Sequence, residues 1–251
     1  MLEIYFSTCS FLFGICVGSF LNVVAFRVPK GESIVTGPSH CMTCGHRLKW
    51  YELIPVLSFV LQGGKCRSCG TRLSPQYPLV EAANGFAWVA IYLLKGLSWD
   101  TLLGFGLVSA LIALSLIDAR TQEIPVGLNI FIACLGILRI VTDLDNFLLY
   151  LIGGAAVSVP LLIILFVTGG AGIGGGDVKL MAAAGLVLGW KNIILAFLLA
   201  CIFGAVIHPI RMKFFHAGRV LAMGPYLSAG IMVAFLFGDA MISWYLGMMG
   251  L

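Results

Sequence analysis

Long apolar tracts separated by short polar connections fill most of the 251-residue chain. Candidate helices cover residues 4–26, 79–95, 101–118, 126–142, 147–168, 178–190, 192–210 and 221–246. Most come close to the roughly 20 residues that a helix needs to cross a hydrocarbon layer of about 30 Å. The tract 178–190 is the shortest, about 20 Å at 1.5 Å per residue, and could be re-entrant. A transmembrane barrel would show short alternating segments instead, and none are present. The pattern predicts an all-α integral membrane protein with about eight transmembrane helices.

One stretch departs from it. Between Arg27 and Pro78 lie Pro29, Pro38, Pro55, Pro75 and many turn residues, with no apolar run long enough to span a membrane. This reads as a small extramembrane domain. The expected organisation is a first transmembrane helix (1–27), an extramembrane domain (28–78) and a membrane domain of about seven helices (79–251).

Composition sharpens the reading. Apolar residues make up 60% of the chain and charged residues only 10%. Soluble domains carry about 25% charged residues, so a soluble enzyme and a disordered chain are both excluded. The net charge of +4 comes with no basic stripe outside the loops, and no nucleic-acid partner is expected.

The placement of the 15 Lys and Arg residues is more informative. No Lys or Arg precedes the first apolar tract, whereas Arg27 and Lys30 follow it. A cleavable signal peptide has the reverse order, so this is expected to be a retained helix with its N-terminus outside. With eight crossings, the inside loops hold Arg27, Lys30, Arg47, Lys49, Lys65, Arg67, Arg72, Arg120, Lys179, Arg211, Lys213 and Arg219. Only Lys95, Arg139 and Lys191 fall outside. Removing the 178–190 crossing would move Arg211, Lys213 and Arg219 outside. Positive charge favours the cytoplasmic side, which supports eight crossings and a cytoplasmic extramembrane domain.

Four of the 8 cysteines, Cys9, Cys16, Cys134 and Cys201, stand alone in apolar tracts and read as small buried hydrophobes. The others form two pairs, Cys41-x2-Cys44 and Cys66-x2-Cys69, inside the polar domain. Two such knuckles can each wrap one edge of a tetrahedral zinc ion. Gly45 and Gly70 follow the second cysteine of each pair, where a tight turn aims N–H groups at sulfur. A reducing cytoplasm disfavours disulfides, and a domain this small needs a staple. Four thiolates leave no open position for water, so the zinc is expected to be structural.

Acidic residues in apolar helices default to functional hypotheses. Asp118 ends the third helix and Asp177 opens the sixth, in Gly174-Gly175-Gly176-Asp177-Val178-Lys179. Both lie at the cytoplasmic edge of the expected topology. Two carboxylates in one site share a proton: one can deprotonate water while the other donates to a scissile carbonyl, which is aspartic-protease chemistry. Each Asp also has a simpler reading, Asp177 as a helix cap and Asp118 as a partner for Arg120. The glycines from Gly169 to Gly176 lack GK[ST] and are no P-loop. They read as a turn, as a close-packed seam, or as an opening for an extended substrate backbone. Glu81 reads as a structural partner near the interface. A transporter would place its acids at the bilayer midplane within inverted repeats, which this chain does not show.

Together these blocks resemble the type IV prepilin peptidases, membrane aspartic proteases that are often also N-methyltransferases. The resemblance rests on Gly18-Ser19-Phe20-Leu21-Asn22 with Arg27-Val28-Pro29, on the block from Ser39 to Cys69, and on Tyr77-Pro78-Leu79-Val80-Glu81. It extends to Asp118 with Ile124-Pro125, to the Gly174–Lys179 block, and to Gly224-Pro225-Tyr226-Leu227. Val126 stands where the family usually has a polar residue. The resemblance implies catalytic Asp118 and Asp177, supported by Gly174, Gly175, Gly176 and Lys179. It implies prepilins and pilin-like precursors with a short basic leader as substrates, in pilus assembly, secretion or DNA uptake, at the inner membrane. It also implies N-methylation of the new N-terminus from S-adenosylmethionine, with Gly64 and Lys65 associated with that activity. No strand-loop-helix with GxGxxG is present to bind that cofactor, and its site is not legible in the chain.

Overall fold

The computed structural model describes residues 1–170, 172–215 and 221–250. Ala171 in the glycine segment and Arg219 among the inside charges lie outside the described residues. The chain forms two compact units, Met1–Ala113 and Leu114–Leu251. Its helices are α1 (Leu2–Arg27), α2 (Leu57–Leu61), α3 (Gln76–Lys95), α4 (Trp99–Thr121), α5 (Val126–Thr142), α6 (Phe147–Ala156), α7 (Ser158–Val167), α8 (Gly175–Phe215) and α9 (Gly224–Met248).

In the first unit α1 packs along α3 through glycine. A Cβ on Gly14 would sit 2.8 Å from the Gly85 Cα, and one on Gly18 would sit 2.7 Å from the Glu81 Cα. These contacts bring the two backbones together, as small residues four apart do between membrane helices. A buried polar chain adds direction. Asn84 Nδ2 donates to the Gly14 carbonyl at 2.7 Å, Ser109 Oγ donates to Asn84 Oδ1 at 3.0 Å, and Trp88 Nε1 donates to Ser109 Oγ at 3.1 Å. Gly18→Val should therefore separate α1 from α3. A loss of about 1–3 kcal/mol is expected from overpacking, read as a lower melting temperature in detergent.

The polar segment between α1 and α3 contains no β-strand among the described residues, only the isolated bridges His40–Arg47 and Lys65–Arg72. These bridges mark a short repeat that spacing alone does not reveal: His40–Leu48 and Lys65–Leu73 fold alike. In each copy the first cysteine's N–H bonds the carbonyl five residues on (Cys41 to His46, Cys66 to Thr71), and the glycine's N–H returns to the cysteine carbonyl, all at 2.9 Å. Leu48 and Leu73 close the copies by donating to Ser39 and Gly64. Gly45 and Gly70 both have φ 71°.

In the second unit α8 is the organising element. It takes in both tracts expected at 178–190 and 192–210 without an intervening loop, and it breaks at a single residue, Gly189 (φ 76°, ψ 170°). Its first half receives Gly136 of α5 at Leu186 and Gly153 of α6 at Gly185 and Gly189. Its second half receives Gly230 of α9 at Ala196 and Ala200, and Gly238 at Asn192. Six helices are long and apolar enough to cross a membrane, the span Leu144–Val167 combining α6 and α7. The expected eight segments correspond to these six, the 17-residue α5 and the second half of α8. The isolated cysteines are less buried than expected: Cys16, Cys134 and Cys201 are exposed and Cys9 is half-buried. On these helices, outward faces are apolar and suited to lipid.

Candidate active site and thiol cluster

Asp118 lies in the last turn of α4 and is only 4% exposed. Its Oδ2 accepts the Gly224 N–H at 2.8 Å, at the start of α9. A Cβ on Gly224 would lie 2.7 Å from that oxygen, so only glycine permits the approach. Beyond Asp118, the Gln122 N–H closes the helix on the Asp118 carbonyl at 2.9 Å. Pro125 then starts α5 as its N-cap, so Val126 enters the first helical turn.

Asp177 sits in the first turn of α8 and is half-buried. Its N–H donates to the Gly174 carbonyl at 3.1 Å, and its carboxylate turns back toward the Gly174 backbone. Gly176 packs on Ile124, where a Cβ would lie 2.9 Å from the Ile124 Cβ. This contact ties the loop after Asp118 to the turn that carries Asp177. With that contact the two carboxylates come within range of each other's charge, so residues 59 apart in sequence share one site.

The glycine segment is a turn rather than a seam. Gly169 and Gly170 have φ 60° and 84°, and neither meets a close neighbour. Gly174 and Gly175 are exposed, and Gly176 alone is tightly packed. Lys179 is exposed, and among the described residues it makes no ion pair with either aspartate.

In the first unit the four cysteines converge. Cys41 Sγ lies 3.9 Å from Cys69 Sγ and Cys44 Sγ lies 4.0 Å from Cys66 Sγ, with all four sulfurs within 4.8 Å of one another. A tetrahedral zinc with sulfur at about 2.3 Å has edges of about 3.8 Å, so the cluster fits the ion and is too open for disulfides. Backbone N–H groups of Cys44 and Thr43 hold the Cys41 thiol below its usual range. Hydrogen bonds from Thr71 bring Cys69 down to about 6. Thiolates this crowded repel one another, and a divalent cation among them removes that penalty.

Glu52 braces the first knuckle. It is 7% exposed and accepts the Lys49 N–H at 2.8 Å and His46 Nε2 at 3.3 Å. The Lys49 N–H, followed by His46, holds its carboxyl below the ordinary range. Glu81 of α3 accepts the Val56 N–H at 2.6 Å, and Val56 stands at a positive φ of 62°. Gly64 (φ 67°) and Lys65 lead into the second knuckle, with Gly64 packed behind the Phe59 ring. Two groups of the sites carry no sequence signal of their role: the Gly224 N–H, and Asn22, which lines a cavity beneath the knuckles.

Two aspartates in one site and a four-thiol cluster, on a chain with six helices long and apolar enough to cross a membrane, fit a multi-pass membrane protein. The chain belongs to the type IV leader peptidase family: residues 105–208 match that family, and residues 12–94 match the bacterial peptidase A24 N-terminal domain. It is 36% identical over 244 residues to a prepilin leader peptidase/N-methyltransferase of Bacillus subtilis, covering 95% of this chain and 97% of that one. A protein of the same description from Pseudomonas aeruginosa is 33% identical, over 98% of this chain and 95% of its own. No solved structure matches the chain.

Proposed function

We propose that this protein is a membrane aspartic endopeptidase that removes the leader of prepilins and pilin-like precursors and N-methylates the new N-terminus. The observation that carries the reading is the meeting of Asp118 and Asp177 in one site. One carboxylate takes a proton from water as the oxygen attacks the scissile carbonyl carbon. The other, protonated, donates to the carbonyl oxygen. Collapse of the tetrahedral species breaks the C–N bond, and the leaving nitrogen takes a proton from the pair. Gly224 holds the Asp118 carboxylate in one orientation through its N–H. The exposed glycines at 174 and 175 leave room for an extended backbone.

The four thiols hold zinc as a structural ion. S-adenosylmethionine supplies an activated methyl group when bound. The charge bias of the loops supports an outside N-terminus, with the thiol domain and aspartates at the cytoplasmic face of the inner membrane. A prepilin leader there would reach the aspartates while its apolar helix stays in the bilayer.

The test uses the purified protein in detergent with a prepilin and S-adenosylmethionine, reading intact pilin masses over time. Loss of the leader followed by a gain of one methyl group supports both activities. An unchanged mass with folded enzyme and several pilins counts against the reading. Gly224→Ala should slow leader cleavage by about 10–100-fold, because its methyl displaces the Asp118 carboxylate. The same time course measures it.

A further inference from the structure

A cavity of about 330 Å³ opens within the first unit, beneath the cysteine knuckles and between the facing ends of α1 and α3. All of its lining residues lie between Ser19 and Glu81, and the peptidase chemistry uses none of them. Its size falls at the lower end of the range for pockets that enclose a small cofactor.

Its lining includes two buried acceptor groups. Asn22 is 3% exposed; its Nδ2 donates to the Gly18 and Tyr77 carbonyls at 3.4 and 3.2 Å, but its Oδ1 has no partner among the described residues. The same cavity is lined by the 7% exposed carboxylate of Glu81, which accepts the Val56 N–H and the Ser19 hydroxyl but makes no ion pair among the described residues. A buried acceptor without a donor, in one cavity with a buried carboxylate without a counter-charge, calls for a positively charged ligand. Phe26, Phe59 and Tyr77 supply aromatic walls, while Lys30 and Arg72 bring positive charge to the lining. Arg27 is already occupied: its guanidinium donates to the carbonyls of Ser33, Thr36, Gly37 and Pro38 and shapes the adjoining loop.

S-adenosylmethionine combines a sulfonium, an ammonium, a carboxylate and a flat adenine. We propose that this cavity is the methyl-donor site, with Asn22 and Glu81 supplying the acceptors that its cationic groups need. The assignment rests on the methyl-transfer half of the function proposed above. It requires no doubly wound sheet, because the acceptors come from two membrane helices and the cover from the knuckle domain.

The test measures equilibrium binding of S-adenosylmethionine to the full-length protein in detergent. Glu81→Gln keeps an acceptor for the Val56 N–H and removes the charge; it should weaken binding at least about tenfold. Ser58→Trp places bulk in the cavity from α2 and should abolish measurable binding. Zinc content and melting temperature should stay at wild-type values in both. Ultraviolet crosslinking of radiolabelled donor to the unaltered protein reads the same site without a substitution, and label should map to residues 19–81.

Wild-type binding that both variants retain within twofold would overturn the assignment. So would label outside residues 19–81, or loss of prepilin affinity in both variants with donor affinity intact, which would give the cavity to the leader. A protein that cleaves leaders but does not bind the donor also overturns it. Donor binding mapped to this cavity without any processing of prepilin would instead count against the proposed function and leave the cavity assigned.

Discussion

Asp118→Asn and Asp177→Asn should each lower leader cleavage by at least about 10³-fold while leaving the protein folded. A pair that shares one proton between two carboxylates acts as a unit, and losing either member removes most of its effect. An amide preserves the shape at both positions. In the Asp118→Asn variant the amide oxygen would still meet the Gly224 N–H, and in Asp177→Asn the side chain would still fit the turn opened by Gly174. Melting temperature and zinc content should therefore remain near wild type. Single-turnover cleavage with excess enzyme separates slow chemistry from slow product release. Retention of a tenth or more of the activity in either variant would refute a shared-proton mechanism. The double variant should be no worse than the weaker single one.

The second large effect concerns the thiol cluster. Cys66→Ser should abolish zinc binding and unfold the knuckle domain, because metal binding in such small domains is worth on the order of 10 kcal/mol of folding free energy. Cys66 is buried, and its N–H and carbonyl organise the second knuckle through Thr71 and Gly70. The loss should show as metal content by mass spectrometry and as rapid proteolysis within residues 28–75. Strong chelation of the wild-type protein should produce the same cleavage pattern. If Cys66→Ser kept one zinc per chain, a four-thiolate site would be refuted.

How much of this is legible in the sequence depends on the kind of signal. The cysteine knuckles can be read because spacing and a following glycine encode them locally. Their relation as two copies of one nine-residue fold is harder to see. His40–Leu48 and Lys65–Leu73 share Cys-x2-Cys-Gly, Arg and Leu, while the rest differs. Asp118 and Asp177 stand out as acids at helix ends, and the structure brings their charges together. The Gly224 N–H is invisible because a backbone donor leaves no side-chain signature.

The helix count turns on one residue. Lys191 and Asn192 mark in the sequence where the tracts 178–190 and 192–210 part, but not that the chain passes between them without a loop, through a break at Gly189 alone. The density of glycine at 169–176 invites the reading of a seam, but only Gly176 is closely packed there, whereas seams form at Gly14, Gly18 and Gly85 in the first unit and at Gly153, Gly185 and Gly230 in the second. Gly14-x3-Gly18 is written plainly in the first helix, but a partner helix must be known before such spacing acquires meaning. The cavity joins Asn22 to Glu81, and no local pattern couples residues so far apart.

The close packing of α1 on α3 has a consequence for biosynthesis. The first helix leaves the ribosome with its docking face bare, and its partner follows only after the knuckle segment has been made. At about 5–20 residues per second, that interval of roughly fifty residues lasts about 2–10 s. During that time the Gly14 and Gly18 face of α1 has no α3 to pack on, while the four cysteines that converge in the knuckles are already made. Closure of the knuckles and pairing of the two helices therefore fall in one time window, and whatever delays the first leaves α3 to dock under an unfinished domain.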